Sequence, residues 1–264
     1  MEDVITEIPP PSRFFEEDLN NFTVPSPPLP PPFLLFSEPH LQTLHPSLLI
    51  IALSSPSLYL FHHFPSKTLI GSLILPEIPL SGNSIEPSLT DRSCNIYALN
   101  NGDPQSVVLV SVQCSVAAER SHSVAKLLIG DRIVSRRMLI LDSIHGQNFR
   151  GRLSSDEEFA FKLETLAERK GERLLKGLEY YPSGSVVDGL GAALLGRCQM
   201  KNIKASLCVS WPEYGASVLS LIKGLLQKDV LPGLELNFSE EDSSGFLSRF
   251  GRGKDHLFES ELYT

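Results

Sequence analysis

The sequence predicts an α/β fold: a single domain with a central mixed, mostly buried β-sheet flanked by helices, a disordered N-terminal leader and a disordered C-terminal tail. Three observations point there. Short continuous apolar runs, Leu48 to Leu53, Thr68 to Leu75, Val107 to Val112, Met138 to Leu141 and Ala205 to Val209, have the length and composition of strands covered on both faces. Segments of helical length lie between and after them. Asn95 to Leu99 runs through Asn100-Asn101-Gly102-Asp103-Pro104 into Val107, which folds two strands antiparallel and makes the sheet mixed rather than purely parallel.

Taken in chain order, residues 1–40 read as an acidic and then proline-rich leader. Pro9-Pro10-Pro11 and the run from Val24 to Pro32 have polyproline character and lack the donors a sheet needs. A stiff leader is the preferred reading, ahead of a ligand for a proline-recognising domain. The α/β domain is expected over 41–237. Within it, Glu119 to Ile129 places Val124, Leu127 and Leu128 on one side of a helix. Asp156 to Arg169 is expected as a second helix, with Ser154-Ser155 as caps and Glu157 and Glu158 in the first turn. Asp188 is placed to cap Gly189 to Met200, where Gly189, Gly191, Ala192, Ala193 and Gly196 permit close approach to the sheet. Pro212 and Glu213 open a last helix from Tyr214 to about Gln227, stopped by Pro232. Helix, strand and helix from Asp188 to Gln227 suit the end of an α/β domain.

The 238–264 stretch changes character. Ser239-Glu240-Glu241-Asp242-Ser243-Ser244-Gly245 offers too little apolar surface to offset an ordering cost of about 1–2 kcal/mol per residue. Its end, Leu262-Tyr263-Thr264, combines an apolar side chain, an amphipathic ring and a terminal carboxylate. Those groups suit capture by a partner: backbone and basic groups take the carboxylate, and an apolar groove takes Leu262 and the Tyr263 ring.

Composition excludes several function classes. The 264 residues are 42% hydrophobic with a formal charge of −8, which supports a substantial core and argues against a nucleic-acid or anionic-membrane surface. The longest apolar runs are about six residues, far short of the roughly 20 of a spanning helix, and no basic patch followed by an apolar run opens the chain. Cys94, Cys114, Cys198 and Cys208 lack zinc or redox spacing and are expected as reduced, mostly buried thiols of an intracellular protein. The expected location is the cytoplasm, with the nucleus as a second compartment.

Catalytic and cofactor candidates are thin. Asp142 and His145 with a serine would be the start of a hydrolase- or phosphorylase-like site, but no G-x-S-x-G elbow accompanies them. His62 and His63 are adjacent, point apart and have no third ligand. Gly189-x-Gly191 lacks the third glycine of a dinucleotide site, and Gly253-Lys254 lacks the upstream glycine of a phosphate loop. No cofactor is implied. Trp211, Pro212 and Tyr214 suit either a partner surface or packing at the sheet edge.

Read together, Leu49 to Leu53, Val112 to Glu119, Asp188 to Leu195 with Cys198-Gln199, and Leu262-Tyr263-Thr264 resemble the proteasome assembly chaperone 1 family, in a plant-type form. The resemblance covers most of the chain from about residue 48 and leaves the leader unexplained. It implies a non-enzymatic chaperone that heterodimerises with proteasome assembly chaperone 2 and helps to form the α-subunit ring of the proteasome core particle. It also implies an anchor of hydrophobic-tyrosine-any-residue type that docks between neighbouring α-subunits. Carried onto this sequence, the hydrophobic position is Leu262, the tyrosine Tyr263 and the terminal residue Thr264.

Overall fold

The strongest apolar runs form the middle of the sheet. The computed structural model describes residues 29–38, 43–99, 106–153, 157–213 and 215–233. The chain divides into residues 1–30 and 31–264, and the fold lies in the second unit. Its strands are β1 (Phe33–Phe36), β2 (Leu48–Ala52), β3 (Lys67–Ile74), β4 (Cys94–Leu99), β5 (Val107–Val112), β6 (Arg137–Ser143), β7 (Phe159–Glu164), β8 (Glu179–Tyr180) and β9 (Lys204–Trp211). They make one nine-stranded mixed sheet in the order β1-β3-β4-β5-β2-β6-β9-β7-β8. The central strands β5, β2, β6 and β9 run parallel. β4 pairs antiparallel with β5, and β7 antiparallel with β9.

Every residue of β2 and β5 is buried, because helices cover both faces of a largely parallel centre. Alternation divides their side chains between two cores. Leu49 and Ile51 face one core with Val124 and Leu128 of the helix Ala118–Leu128 and Leu190 and Leu194 of the helix Gly189–Met200. Leu48, Ile50 and Ala52 face the other, with Leu58 to Phe61 of the helix Ser55–His62 and Val218, Leu219 and Ile222 of the helix Ala216–Leu225. The helices are α1 (Ser55–His62), α2 (Ala118–Leu128), the short α3 (Leu166–Arg169), α4 (Gly189–Met200) and α5 (Ala216–Leu225), which continues as a π turn over Leu226–Val230. The result is the expected single α/β domain of three layers.

Two elements depart from the sequence reading. The helix expected from Asp156 is instead strand β7, and only Leu166–Arg169 is helical. Phe159-Ala160-Phe161-Lys162-Leu163-Glu164 alternates with period two, and β9 offers a partner along its full length. The acidic first-turn residues signal a helix only locally, and the ladder wins. Strand β1 lies within the 1–40 stretch assigned to the leader. It pairs antiparallel with β3, Phe33 opposite Ile74 and Phe36 opposite Gly71, so the folded region starts before residue 41. The three prolines before Phe33 obscure a strand that begins directly after them.

Candidate functional site

The parallel centre points the carboxyl end of β6 toward the first turn of α4. Asp142 stands there on the α4 side of the sheet. Its Oδ1 accepts from the Ser143 amide at 2.9 Å, and a side chain on Gly191 would overlap its Oδ2. Glycine at this position therefore lets the helix settle on the carboxyl group. Burial pushes the Asp142 carboxyl from its ordinary 3.8 up to about 6, against the Ser143 hydrogen bond and the nearby His145, while Asp188 and Glu213 add to the rise. Packing of α4 against the carboxyl is the physical cause.

His145 goes elsewhere. Its Nδ1 lies 3.1 Å from Asp188 Oδ1, and Asn148 Nδ2 donates to Asp188 Oδ2 at 2.6 Å. Both members of the His145–Asp188 pair are about half exposed. Asp188 sits at the cap position of α4 but makes no side-chain capping bond, because its carboxylate ties the β6–β7 connection to the helix instead. A hydrolytic triad needs the base oriented by the acid and hydrogen-bonded to the nucleophile. Here the acid beside His145 is Asp188, Asp142 is held beneath Gly191, and Ser210 Oγ donates to the Asp142 carbonyl at 3.3 Å. The clefts lined by Leu69 to Cys114 and by Leu58 to Gln113 include neither Asp142 nor His145. Those two clefts therefore do not serve the enzyme alternative.

Other candidates resolve similarly. His62 is exposed, and His63 Nδ1 contacts the Tyr59 carbonyl at 2.9 Å. Among the described residues no group of three or more His, Cys, Asp or Glu side chains is placed to hold a metal ion. Trp211 packs partly against the core of the α2–α4 layer, and Tyr214 lies outside the described residues. No helix among the described residues is long and apolar enough to cross a membrane. Leu262, Tyr263 and Thr264, expected from the sequence as an anchor, lie outside the described residues.

The domain surface adds a feature that sequence reasoning missed. Phe33 and Leu35 of edge strand β1 are 48% and 59% exposed, and Leu69 of the adjoining β3 is 42% exposed. Their alternation with buried Leu34 and Phe36 is the available signal, hidden by its position in the leader. Among the described residues β1 is the outer strand of its end of the sheet, where exposed apolar side chains suit protein contact rather than chemistry.

Comparison with known proteins bears on the fold. No family model matches the sequence, and no curated protein does. Solved structures do match. PbaA from Pyrococcus furiosus, an archaeal homolog of proteasome-assembly chaperone, has a TM-score of 0.59 at 13% identity, over 88% of this chain and 100% of PbaA. PbaB from the same organism, an archaeal proteasome activator, gives 0.53 at 11% identity, over 88% of this chain and 99% of PbaB. A Thermoplasma acidophilum protein of unknown function gives 0.58 at 13% identity, over 84% and 92%. At such identities the likeness is one of fold, and it spans nearly the whole of each neighbour.

Proposed function

We propose that this chain is a proteasome assembly chaperone of the type its sequence resembles. It pairs with proteasome assembly chaperone 2 and promotes assembly of the α-subunit ring of the proteasome core particle. The observation that carries this reading is the fold shared with PbaA over that protein's full length, reached independently of the sequence resemblance. The fold alone does not specify function. Its agreement with the residues quoted above supports the reading, as does the pairing of His145 with Asp188 rather than with a nucleophile.

In this account the folded domain is a scaffold and the end of the chain an anchor. Leu262 and Tyr263 enter a groove between α-subunits, and the Thr264 carboxylate meets a basic group there. The segment from 238 onward is the tether. Joining a weak tail contact to a weak domain contact raises the effective concentration of each, so together they hold early α-subunits in register and still release them. The site of action is the cytoplasm or nucleus, where the core particle's subunits are met before assembly.

The test is co-purification of the tagged full chain, with identification of what it brings down. A second chaperone together with α-subunits is expected. A chain lacking Tyr263 and Thr264 keeps the second chaperone and loses most of the α-subunits. Purification of the full chain alone overturns the chaperone assignment. Undiminished α-subunit capture by the truncated chain removes the anchor.

A further inference from the structure

The cysteines divide into two pairs of different character. Cys198 and Cys208 are buried and separate, and burial pushes each thiol up to about 12. Cys94 and Cys114 instead meet, with their sulfurs 3.1 Å apart. The register explains it. Cys94 of β4 lies opposite Val112 of β5, and the ladder continues one step further, the Gln113 amide donating to the Ser93 carbonyl at 2.9 Å. Cys114, two residues beyond Val112, is therefore diagonal to Cys94 on the same face.

The pair is also reachable. Both cysteines line a cleft of about 350 Å³ roofed by the segment between β3 and β4, including Ile78, Leu80 and Ile85. That volume is within the range of small-molecule sites. Cys94 is 2% exposed, whereas Cys114 is only partly buried. The hydrogen bond between the two thiols draws Cys114 below the usual thiol range against its burial and the Glu77 carboxylate, while Cys94 is pushed well above it. Glu77 is itself clamped by Arg120, through Nε at 2.7 Å and Nη2 at 2.8 Å. The more exposed cysteine is thus the better nucleophile and the buried one stands behind it.

We propose that Cys94 and Cys114 form a reactive dithiol that takes a small-molecule disulfide as its oxidant and closes to an intramolecular disulfide. Cys114, as the thiolate, attacks one sulfur of the small disulfide. That S–S bond breaks, and the departing thiolate takes up the proton Cys114 released. Cys94 then loses its proton and attacks Cys114 Sγ, expelling the second small thiolate, which takes up that proton. Two protein thiols are oxidised by two electrons, and one small disulfide is reduced to two thiols. The sulfurs close from 3.1 Å to the about 2.05 Å of a disulfide bond. The new bond ties the start of β4 to the connection into α2. It lies beneath a roof already held by Gln113, whose Nε2 donates to the Ser88 carbonyl at 2.7 Å and whose Oε1 accepts from Ser93 Oγ at 3.1 Å.

The experiment treats the reduced full chain with oxidised glutathione under native conditions, blocks the remaining thiols, and counts and maps them after denaturation. Titratable thiols are expected to fall from four to two, with a peptide bridge between Cys94 and Cys114 and two reduced glutathiones released per chain. Cys94→Ser stops at a glutathione adduct on Cys114, and Cys114→Ser slows loss of the Cys94 thiol at least about tenfold. Retention of all four thiols in the native chain overturns the proposal. So does a persistent Cys114 adduct in the native chain, or first reaction at Cys198 or Cys208. The native-chain result decides the matter even if a variant fails to fold, and it is independent of any proteasome contact.

Discussion

The two ends of the sheet solve the same covering problem with opposite chemistry. At the β1 end, Leu34 and Leu73 are buried while Phe33, Leu35 and Leu69 remain exposed. At the β7 end, the charged residues Lys162 and Glu164 are the ones buried, at 2% and 7% exposure. Their groups find one another: Lys162 Nζ and Glu164 Oε1 lie in ion-pair contact at 3.2 Å, Lys162 donates to the Leu175 carbonyl, and Tyr180 Oη donates to Glu164 Oε2 at 2.6 Å. The Lys162 ammonium also lies 5.3 Å from the centre of the Tyr180 ring. Glu164 Oε1 and the adjacent Ser206 Oγ have no hydrogen-bond partner among the described residues. One end therefore tolerates substitution of its inward residues by other apolar groups, and the other cannot lose one charge without the other.

The sharpest way to break that contrast is to remove one charge. Lys162→Met leaves Glu164 buried without its cation and is expected to cost about 3–5 kcal/mol, read from the urea midpoint. Lys162→Met with Glu164→Leu should return stability to within about 1 kcal/mol of the native chain or above it, since a buried pair can be replaced by apolar groups of similar volume. A double variant as unstable as the single one would contradict a role confined to mutual neutralisation.

Between the two ends, Asp142 carries a pH signature. Its folded-state carboxyl is raised from 3.8 to about 6, so the folded chain holds this proton more tightly than the unfolded one. The resulting stability is fully present below the ordinary value, and it is lost as pH rises through about 6. Asp142→Asn should therefore stabilise the chain by about 1–3 kcal/mol at about pH 7 and flatten the decline in urea midpoint over about pH 4 to 7. An unchanged profile would show that α4 does not press on the charged carboxyl.

The β1 end is tested by backbone proximity. A side chain on Gly71 would meet the Leu35 carbonyl and Phe36 Cδ1, both at 2.7 Å, so Gly71→Ala is expected to cost about 1–2 kcal/mol and to speed amide exchange first in β1. The smallest effect belongs to the exposed pair of Lys176 and Glu172, 3.0 Å apart. Lys176→Ala should leave the urea midpoint unchanged within error, as solvent screens such a pair.

These contrasts also mark what was legible in the sequence. Apolar runs located β2, β3, β5, β6 and β9 because burial on both faces requires them. The helices α2 and α4 were legible from side-chain pattern and small residues. β7 was hidden because paired charges occupy positions where alternation leads one to expect apolar residues, and Glu157 with Glu158 imitates a helix start. β1 was hidden by the prolines before it. The meeting of Cys94 with Cys114 depends on a strand register that no short motif encodes. Asp188 was read as a helix cap, yet a carboxylate at a helix start can turn outward, and here it holds His145 and Asn148.

The role proposed for this chain is to promote α-ring assembly. Purified α-subunits mixed with the full chain and the proposed second chaperone, followed over time by native mass spectrometry, test this directly. Faster appearance of complete α-rings is expected, with the chaperone pair bound to intermediates and the gain reduced when Tyr263 and Thr264 are removed. Identical ring formation with and without the chain, and no chain-bound intermediates, would contradict it.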